Sequence, residues 1–402
     1  MNPWASVTLG DICSFITDGK HGDCANDDES GFYFISAKDV RDGRISYESA
    51  RQITEADFAE THRRTNLKPG DILVTNSGTI GRLAIATDDE VTTRTTFQKS
   101  VAILKVKHDR VSLRFLYYTL AANHSALNNE ARGAAQKNLL LGDLRRLTLR
   151  IPQLATQAAI ADILSAYDGL IENNRRRMAL LEEAARQLYR EWFVRLRFPG
   201  HEHTGITNGA PEGWERVPTP VAIEINPTTR LSDESEHWSV EMADLPSGSM
   251  VIQQATRREG RSGSKFRNGD TLFARITPCL ENGKTAFVDF LDDGQAGRGS
   301  TEFIVLRAKR VTPEYVYCLA RTHDFRGNAI KSMVGSSGRQ RVQESCFNKF
   351  NVLIPPDALL ALFTDFARSQ FQLIKALHAQ NHKLRAARDL LLPRLMSGQL
   401  AV

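Results

Sequence analysis

Ile160-Ala161-Asp162-Ile163-Leu164-Ser165-Ala166-Tyr167-Asp168-Gly169-Leu170 is the stretch that decides the architecture. Its apolar positions Ile160, Ile163, Tyr167 and Leu170 continue through Asn174, Arg177, Leu181, Ala184 and Leu188. Steps that alternate three and four are the seam of a coiled-coil helix. A second stretch repeats the pattern as Phe363, Phe366, Gln370, Leu373, Leu377, Gln380, Leu384, Ala387 and Leu391. One shift of 203 positions carries every seam residue of the first stretch onto the second, from Ile160 onto Phe363 to Leu188 onto Leu391.

The helix starts repeat as well. Ile151–Pro152 and Ile354–Pro355 precede them, and a residue before proline is held extended. Thr156 is the expected N-cap of the first helix and Asp357 of the second. The first helix is expected to reach Arg195, and the second to break near Pro393, ahead of Ser397–Gly398. Such a seam must be buried, and the two helices can bury theirs against each other if they run antiparallel about an approximate two-fold axis. From position 160 to 188 the paired rod would extend roughly 40 Å at ~1.5 Å per residue, near the ~34–36 Å of one turn of B-DNA. Asn174, Arg177, Gln370 and Gln380 interrupt the seam. They either set register or leave mid-helix faces for helices of partner proteins.

Upstream, the two halves carry the same parts in the same order. Pro69-Gly70-Asp71-Ile72-Leu73-Val74 and Asn268-Gly269-Asp270-Thr271-Leu272-Phe273 both read as a turn and a strand. Val101–Val106 is paralleled by Phe303–Leu306, and the helical stretch from Phe115 to Ala121 by that from Tyr315 to Ala320. Between the halves, Pro199, Gly200, Gly205, Gly209, Pro211 and Gly213 mark a linker. The expected organisation is a globular domain over 1–151, a helix over 152–195, a linker over 196–211, a second domain over 212–354 and a second helix with a tail over 355–402. The fold class is α+β: two mixed α/β globular domains joined by two long antiparallel coiled-coil helices, as a pseudo-two-fold internal repeat.

Bulk properties agree with a multidomain globular chain. The 402 residues exceed what one hydrophobic core holds, and 41% hydrophobic with 25% charged residues is ordinary for a folded protein. A formal charge of +5 permits a polyanionic partner without demanding one. No apolar run spans a membrane and no secretory signal is seen, so a cytoplasmic location is expected. Cys13, Cys24, Cys279, Cys318 and Cys346 show no C-x-x-C spacing. Cys13, His21 and Cys24 lack a fourth ligand for zinc, so free thiols in a reducing compartment are expected and no metal.

Catalytic signatures are missing. Asn2-Pro3-Trp4 and Asn226-Pro227-Thr228 do not make the N/D-P-P-aromatic loop that holds a flipped adenine. Gly260-Arg261-Ser262-Gly263-Ser264-Lys265 lacks P-loop spacing.

The chain resembles the specificity subunit of type I restriction–modification systems. The resemblance rests on Gln157 to Asp168, Leu170 to Arg176, Leu188 to Phe193, Pro211-Glu212-Gly213-Trp214 and Asp389 to Gly398. Gly70 to Leu73, Ser77 to Gly81, and Leu272 to Lys284 carry it into the globular parts. It implies a non-catalytic subunit whose two target recognition domains each read one half of a split, asymmetric double-stranded DNA sequence. It implies docking of two adenine-methyltransferase subunits and two motor-nuclease restriction subunits. These partners would carry S-adenosylmethionine, ATP and magnesium, leaving this chain without a cofactor. The alternatives are a scaffold of a methylase-only or other phage-defence complex without a nuclease, and an enzyme with an unrecognised motif.

Base edges in the major groove are read by Arg and Lys for guanine and by Asn and Gln for adenine, with Ser and Thr serving backbone contacts. In the first domain the candidates are Asn76, Ser77, Thr79 and Arg82, then Arg94 and Lys99 in the run from Thr92, and Gln136, Lys137 and Asn138. In the second they are Arg275, Thr277, Asn282 and Lys284, then Arg298, and Arg339, Gln340 and Arg341 before the helix. The expected buried seam is Ile160, Ile163, Leu170, Leu181 and Leu188 against Phe363, Phe366, Leu373, Leu377, Leu384 and Leu391.

Overall fold

A computed structural model describes residues 4–48, 50–131, 137–336 and 338–402. It divides into two compact units, one of residues 1–170 with 383–402 and the other of residues 171–382. Both long helices therefore pass from one unit into the other, and each unit owns a globular part and a piece of each helix.

The two globular parts are built alike. In the first, four antiparallel strands lie in the order Cys13–Asp18, Val101–Val106, Ile72–Thr75, Leu83–Ile85. In the second, the order is Ile223–Ile225, Phe303–Ala308, Thr271–Ala274, Thr285–Phe287. The central strands are buried along their apolar runs, such as Ile72-Leu73-Val74 and Phe303 to Leu306. A parallel pair follows in each, Tyr33–Ile35 beside Thr95–Phe97 and Glu236–Val240 beside Ala296–Gly299. A terminal pair closes each: Ala5–Thr8 on Thr148–Ile151, and Glu215–Pro218 on Asn351–Ile354.

The Gly-Asp turns have the same job twice. Asp71 accepts the Lys68 backbone N–H at 2.8 Å and pairs with Lys105 Nζ at 2.5 Å. Asp270 accepts the Arg267 N–H at 2.8 Å and is bridged by the Arg307 guanidinium through two bonds of 2.7 Å. Each carboxylate thus stitches the turn before one central strand to a cation on its neighbour.

The first long helix runs Leu154–Tyr189 and ends in a π turn over Arg190–Val194; the second runs Asp357–Met396. Three expectations are corrected at their ends. Thr156 lies inside the helix, because Gln157 holds the start: its side chain donates to Pro152 O at 2.9 Å and accepts the Ser112 N–H at 2.8 Å. Asp357 is the first helical residue, not a cap. Pro393 does not end the second helix, which continues to Met396; Gly398, at φ +73°, sits at the stop.

Within each unit the two helix pieces pack antiparallel. In the unit of residues 171–382, Asn174 Nδ2 donates to Gln380 Oε1 at 3.1 Å and Asn381 Oδ1 at 3.0 Å, while Phe193 meets Phe363 at 5.0 Å between ring centroids. In the other unit, Arg388 Nη1 donates to Asp168 at 2.5 Å, and Ile160, Ala161 and Leu164 share a core with Leu391, Leu392 and Leu395.

At four positions the buried face is displaced by one residue from the expected seam. Ile163, Leu170, Phe366 and Leu373 are exposed by 37–49%, and the buried line passes through Leu164, Ile171, Ala367 and Ile374. Leu181, Leu188, Leu384 and Leu391 are half-buried, whereas Ile160, Phe363 and Leu377 are buried. The cause is that each piece packs against a globular part as well as the other helix. Tyr189, for example, meets Tyr315 at 4.9 Å as well as Phe363. That second contact turns the buried face toward the domain.

The segment expected as a linker carries short elements of its own. It forms a 3-10 turn at His201–His203 and a hairpin of Ile206–Thr207 on Ala210–Pro211. Phe198 within it and Trp214 just beyond it place their rings 4.9 Å apart in the core of their unit.

Candidate nucleic-acid interface

In each unit, the loop leaving a buried central strand is tied to the loop that precedes the last short strand. In the first unit, Ser77 bridges Asn138, the Gly78 N–H donates to Lys137 O at 3.1 Å, and the Leu139 N–H donates to Asn76 O at 2.8 Å. In the second, Ile276 bridges Arg341, the Thr277 N–H donates to Gln340 O at 3.0 Å, and the Val342 N–H donates to Arg275 O at 2.9 Å. Two of the residue groups chosen from sequence in each half are therefore brought together by backbone hydrogen bonds, at the same place in the fold.

In the first unit this junction lines a cleft of about 530 Å³, through Asn76, Ser77, Asn138 and Leu139 to Leu141, together with Asp18, His21 and Lys99. Glycine lets the Asp18–His21 loop join this lining: a Cβ on Gly19 would stand 1.8 Å from Phe97 O. That close approach lets the Lys20 N–H bond Phe97 O at 2.9 Å and Lys20 O accept the Lys99 N–H at 3.0 Å, so the Asp18–His21 loop and Lys99 are held together. Lys99, Lys137 and Asn138 are exposed. Asn76 is buried, so its side chain is part of the wall rather than of the surface.

The other candidates divide. Thr79 and Arg82 are exposed on the turn after the strand Ile72–Thr75. Arg94 is away from the cleft lining, paired with Glu90 at 2.6 Å. Thr92 and Thr96 of the same run are buried. Gln136 lies outside the described residues, as do Gly133 and Ser337 of the flanking loops.

In the second unit, Arg341 forms a forked pair with Glu302 at 2.6–2.9 Å, which holds the Glu302 carboxyl below its usual range. Arg275 pairs with Glu344 at 3.3 Å and donates to Val342 O. Thr277 is buried and its hydroxyl accepts the Gln340 N–H at 3.0 Å, and Lys284 Nζ donates to Met242 O at 2.7 Å. Thr277 and Lys284 thus brace the fold. Arg298 sits on a separate sheet, bonded to Glu259 O at 2.7 Å. Asn282, Arg339 and Arg341 are exposed.

Sequence inspection missed the Asp18–His21 wall, because nothing in Asp18-Gly19-Lys20-His21 distinguishes it from any polar turn until Lys99 is seen beside it. Among the described residues no group of three His, Cys, Asp or Glu side chains is arranged to hold a metal, and no helix is long and apolar enough to cross a membrane.

Comparison with known proteins gives a consistent result. Residues 1–183 match the type I restriction modification DNA specificity domain. The MjaIX type I restriction enzyme specificity subunit of Methanocaldococcus jannaschii is 24% identical over 388 residues, covering 92% of this chain and 87% of that one. The EcoAI specificity subunit of Escherichia coli is 31% identical over 153 residues, 36% of this chain and 26% of that one. The HindI specificity subunit of Haemophilus influenzae aligns over the full length of both chains at 20% identity. The crystal structure of a type I restriction–modification S subunit from M. genitalium superimposes with a TM-score of 0.51 at 14% identity, covering 98% of this chain and 96% of that chain, and shares its fold. The chain is thus similar, over residues 1–183, to the type I restriction modification DNA specificity domain and, over most of its length, to proteins named as type I restriction enzyme specificity subunits.

Proposed function

We propose that this chain binds a bipartite, asymmetric double-stranded DNA target, each globular part reading one half, and docks the methyltransferase and restriction subunits that act there. The observation that carries the proposal is the tied pair of loops, repeated at one place in two equal folds but with different side chains: Ser77, Lys137 and Asn138 in one, Ile276, Gln340 and Arg341 in the other. Equal scaffolds with unlike side chains suit two unlike half-sites. Docking is supported by the exposed apolar pairs. Ile163 and Leu170 on the first helix are matched by Phe366 and Leu373 on the second, each displaced by the 203-residue repeat. Two equivalent apolar patches suit two copies of one partner. Such a complex would work in the cytoplasm, on the chromosome and on incoming DNA.

Mapping methylated adenines in cells with and without this gene tests the proposal. The expected result is a split motif with unlike halves that vanishes on deletion. A palindromic or unsplit motif, or none, overturns it. Methylation without restriction of unmodified phage would instead identify the methylase-only scaffold.

A smaller effect is expected for the exposed lysines. Lys99→Ala and Lys137→Ala should each weaken binding about equally for all sequences and reduce the slope of log affinity against log salt by about 1, as loss of a phosphate contact does. Titrations at several salt concentrations check this; a change confined to one base position would rule out a phosphate role.

A further inference from the structure

His21 lines the same cleft as the loop junction, and its environment is built rather than incidental. The imidazole is 62% exposed, yet its Nε2 is 2.9 Å from Asp18 Oδ2. Asp18 is itself almost fully buried and is fixed from the other side by Arg64, whose Nη2 donates to Asp18 Oδ1 at 2.5 Å, to Asp18 O at 2.7 Å and to Gly19 O at 3.1 Å. A buried carboxylate, neutralised by one arginine, thus orients an exposed ring on a wall shared with Lys99 and Asn138.

A carboxylate only accepts, so Nε2 must carry the proton that it donates. In the neutral ring this leaves Nδ1 as a bare acceptor. Exposed acceptors held in one orientation discriminate: an exocyclic amino group satisfies them, and a keto oxygen repels them. In the major groove the amino groups belong to adenine N6 and cytosine N4, and the keto oxygens to guanine and thymine.

We infer that His21 reads one base of the first half-site, selecting an amino-bearing base, with Asp18 and Arg64 as its positioning residues. This rests on the proposed reading of DNA by the globular parts and names a specificity residue for it.

The test uses the full chain assembled with its methyltransferase partner and duplexes carrying the mapped motif, with each half-site position changed in turn. His21→Ala should lose discrimination at a single base pair of one half-site, by about ten-fold or more, and leave the other half-site unchanged. Asp18→Asn can donate to Nε2 as well as accept, which frees the tautomer, so it should blur amino against keto preference at that same base pair. Because His21 is exposed, thermal unfolding of His21→Ala should match the parent. A uniform loss of affinity at all positions would mark a phosphate contact and overturn the inference, as would an unchanged discrimination profile. If the parent complex itself shows no half-site preference, the wider proposal fails and this one with it; parental preference with an unaltered variant sinks only the role of His21.

Discussion

Asp270→Ala is expected to destabilise the unit of residues 171–382 by about 3–5 kcal/mol, the usual cost of removing one partner from a buried ion pair. Asp270 is 1% exposed at its side chain and Arg307 9%, and their two 2.7 Å bonds are supplemented by the Arg267 N–H on the same carboxylate. Without the carboxylate, a guanidinium is left inside the sheet with, among the described residues, Thr229 Oγ1 at 2.8 Å as its remaining side-chain partner. The matched change in the other unit, Asp71→Ala, should cost less. There the side chains of Asp71 and Lys105 are 10% and 22% exposed, and lysine can swing its ammonium into water. Urea unfolding followed by tryptophan fluorescence suits the comparison, because Trp192, Trp214 and Trp238 lie in one unit and Trp4 in the other. An Asp270→Ala loss no greater than that of Asp71→Ala would refute the assignment. Removing both partners, as Asp270→Ala with Arg307→Leu, should recover part of the loss, since the stranded charge goes with it.

The second large effect is at Glu182. This carboxylate, 3% exposed within the first long helix, accepts the Tyr317 hydroxyl at 2.6 Å and the Met250 N–H at 2.7 Å. It fastens helix to globular part inside one unit, and it falls where a coiled-coil reading of the sequence expects a solvated charge. Glu182→Leu should cost roughly 2–6 kcal/mol, because two buried donors each lose a partner at ~1–3 kcal/mol. Glu182→Gln keeps an acceptor for Met250 and should cost only ~1 kcal/mol. Hydrogen exchange at the Met250 amide gives a local readout: it should accelerate in the leucine variant and stay close to the parent in the glutamine one. Equal protection in both would show that the carboxylate is dispensable. The first unit has a counterpart, Tyr118 donating to Asp168 at 2.6 Å with Arg388 on the other carboxylate oxygen. A tyrosine hydroxyl on a helix carboxylate is therefore how each globular part grips its helices.

Much of the plan was legible in the residues alone. The two helices, their 203-residue displacement, the Gly-Asp turns and the matched strands all follow from local rules: apolar spacing, turn residues and β-branched runs, each acting over a few residues. The absence of nucleotide and flipped-base motifs is likewise a property of the string. Other features depend on which surfaces meet. A heptad count places Ile163 and Phe366 inside, but a helix that packs on a globular part and on a second helix buries a face set by both neighbours, so Leu164 and Ala367 are inside instead. Asn76 and Thr277 resemble surface readers in the sequence and are walls of the fold, because their loops are pulled in by backbone pairing with residues about 60 positions away. His21 became visible only once Gly19 had laid its loop against Phe97. Short-range preference is written residue by residue, whereas burial and the company a side chain keeps are sums over distant segments, and only the folded chain performs that sum.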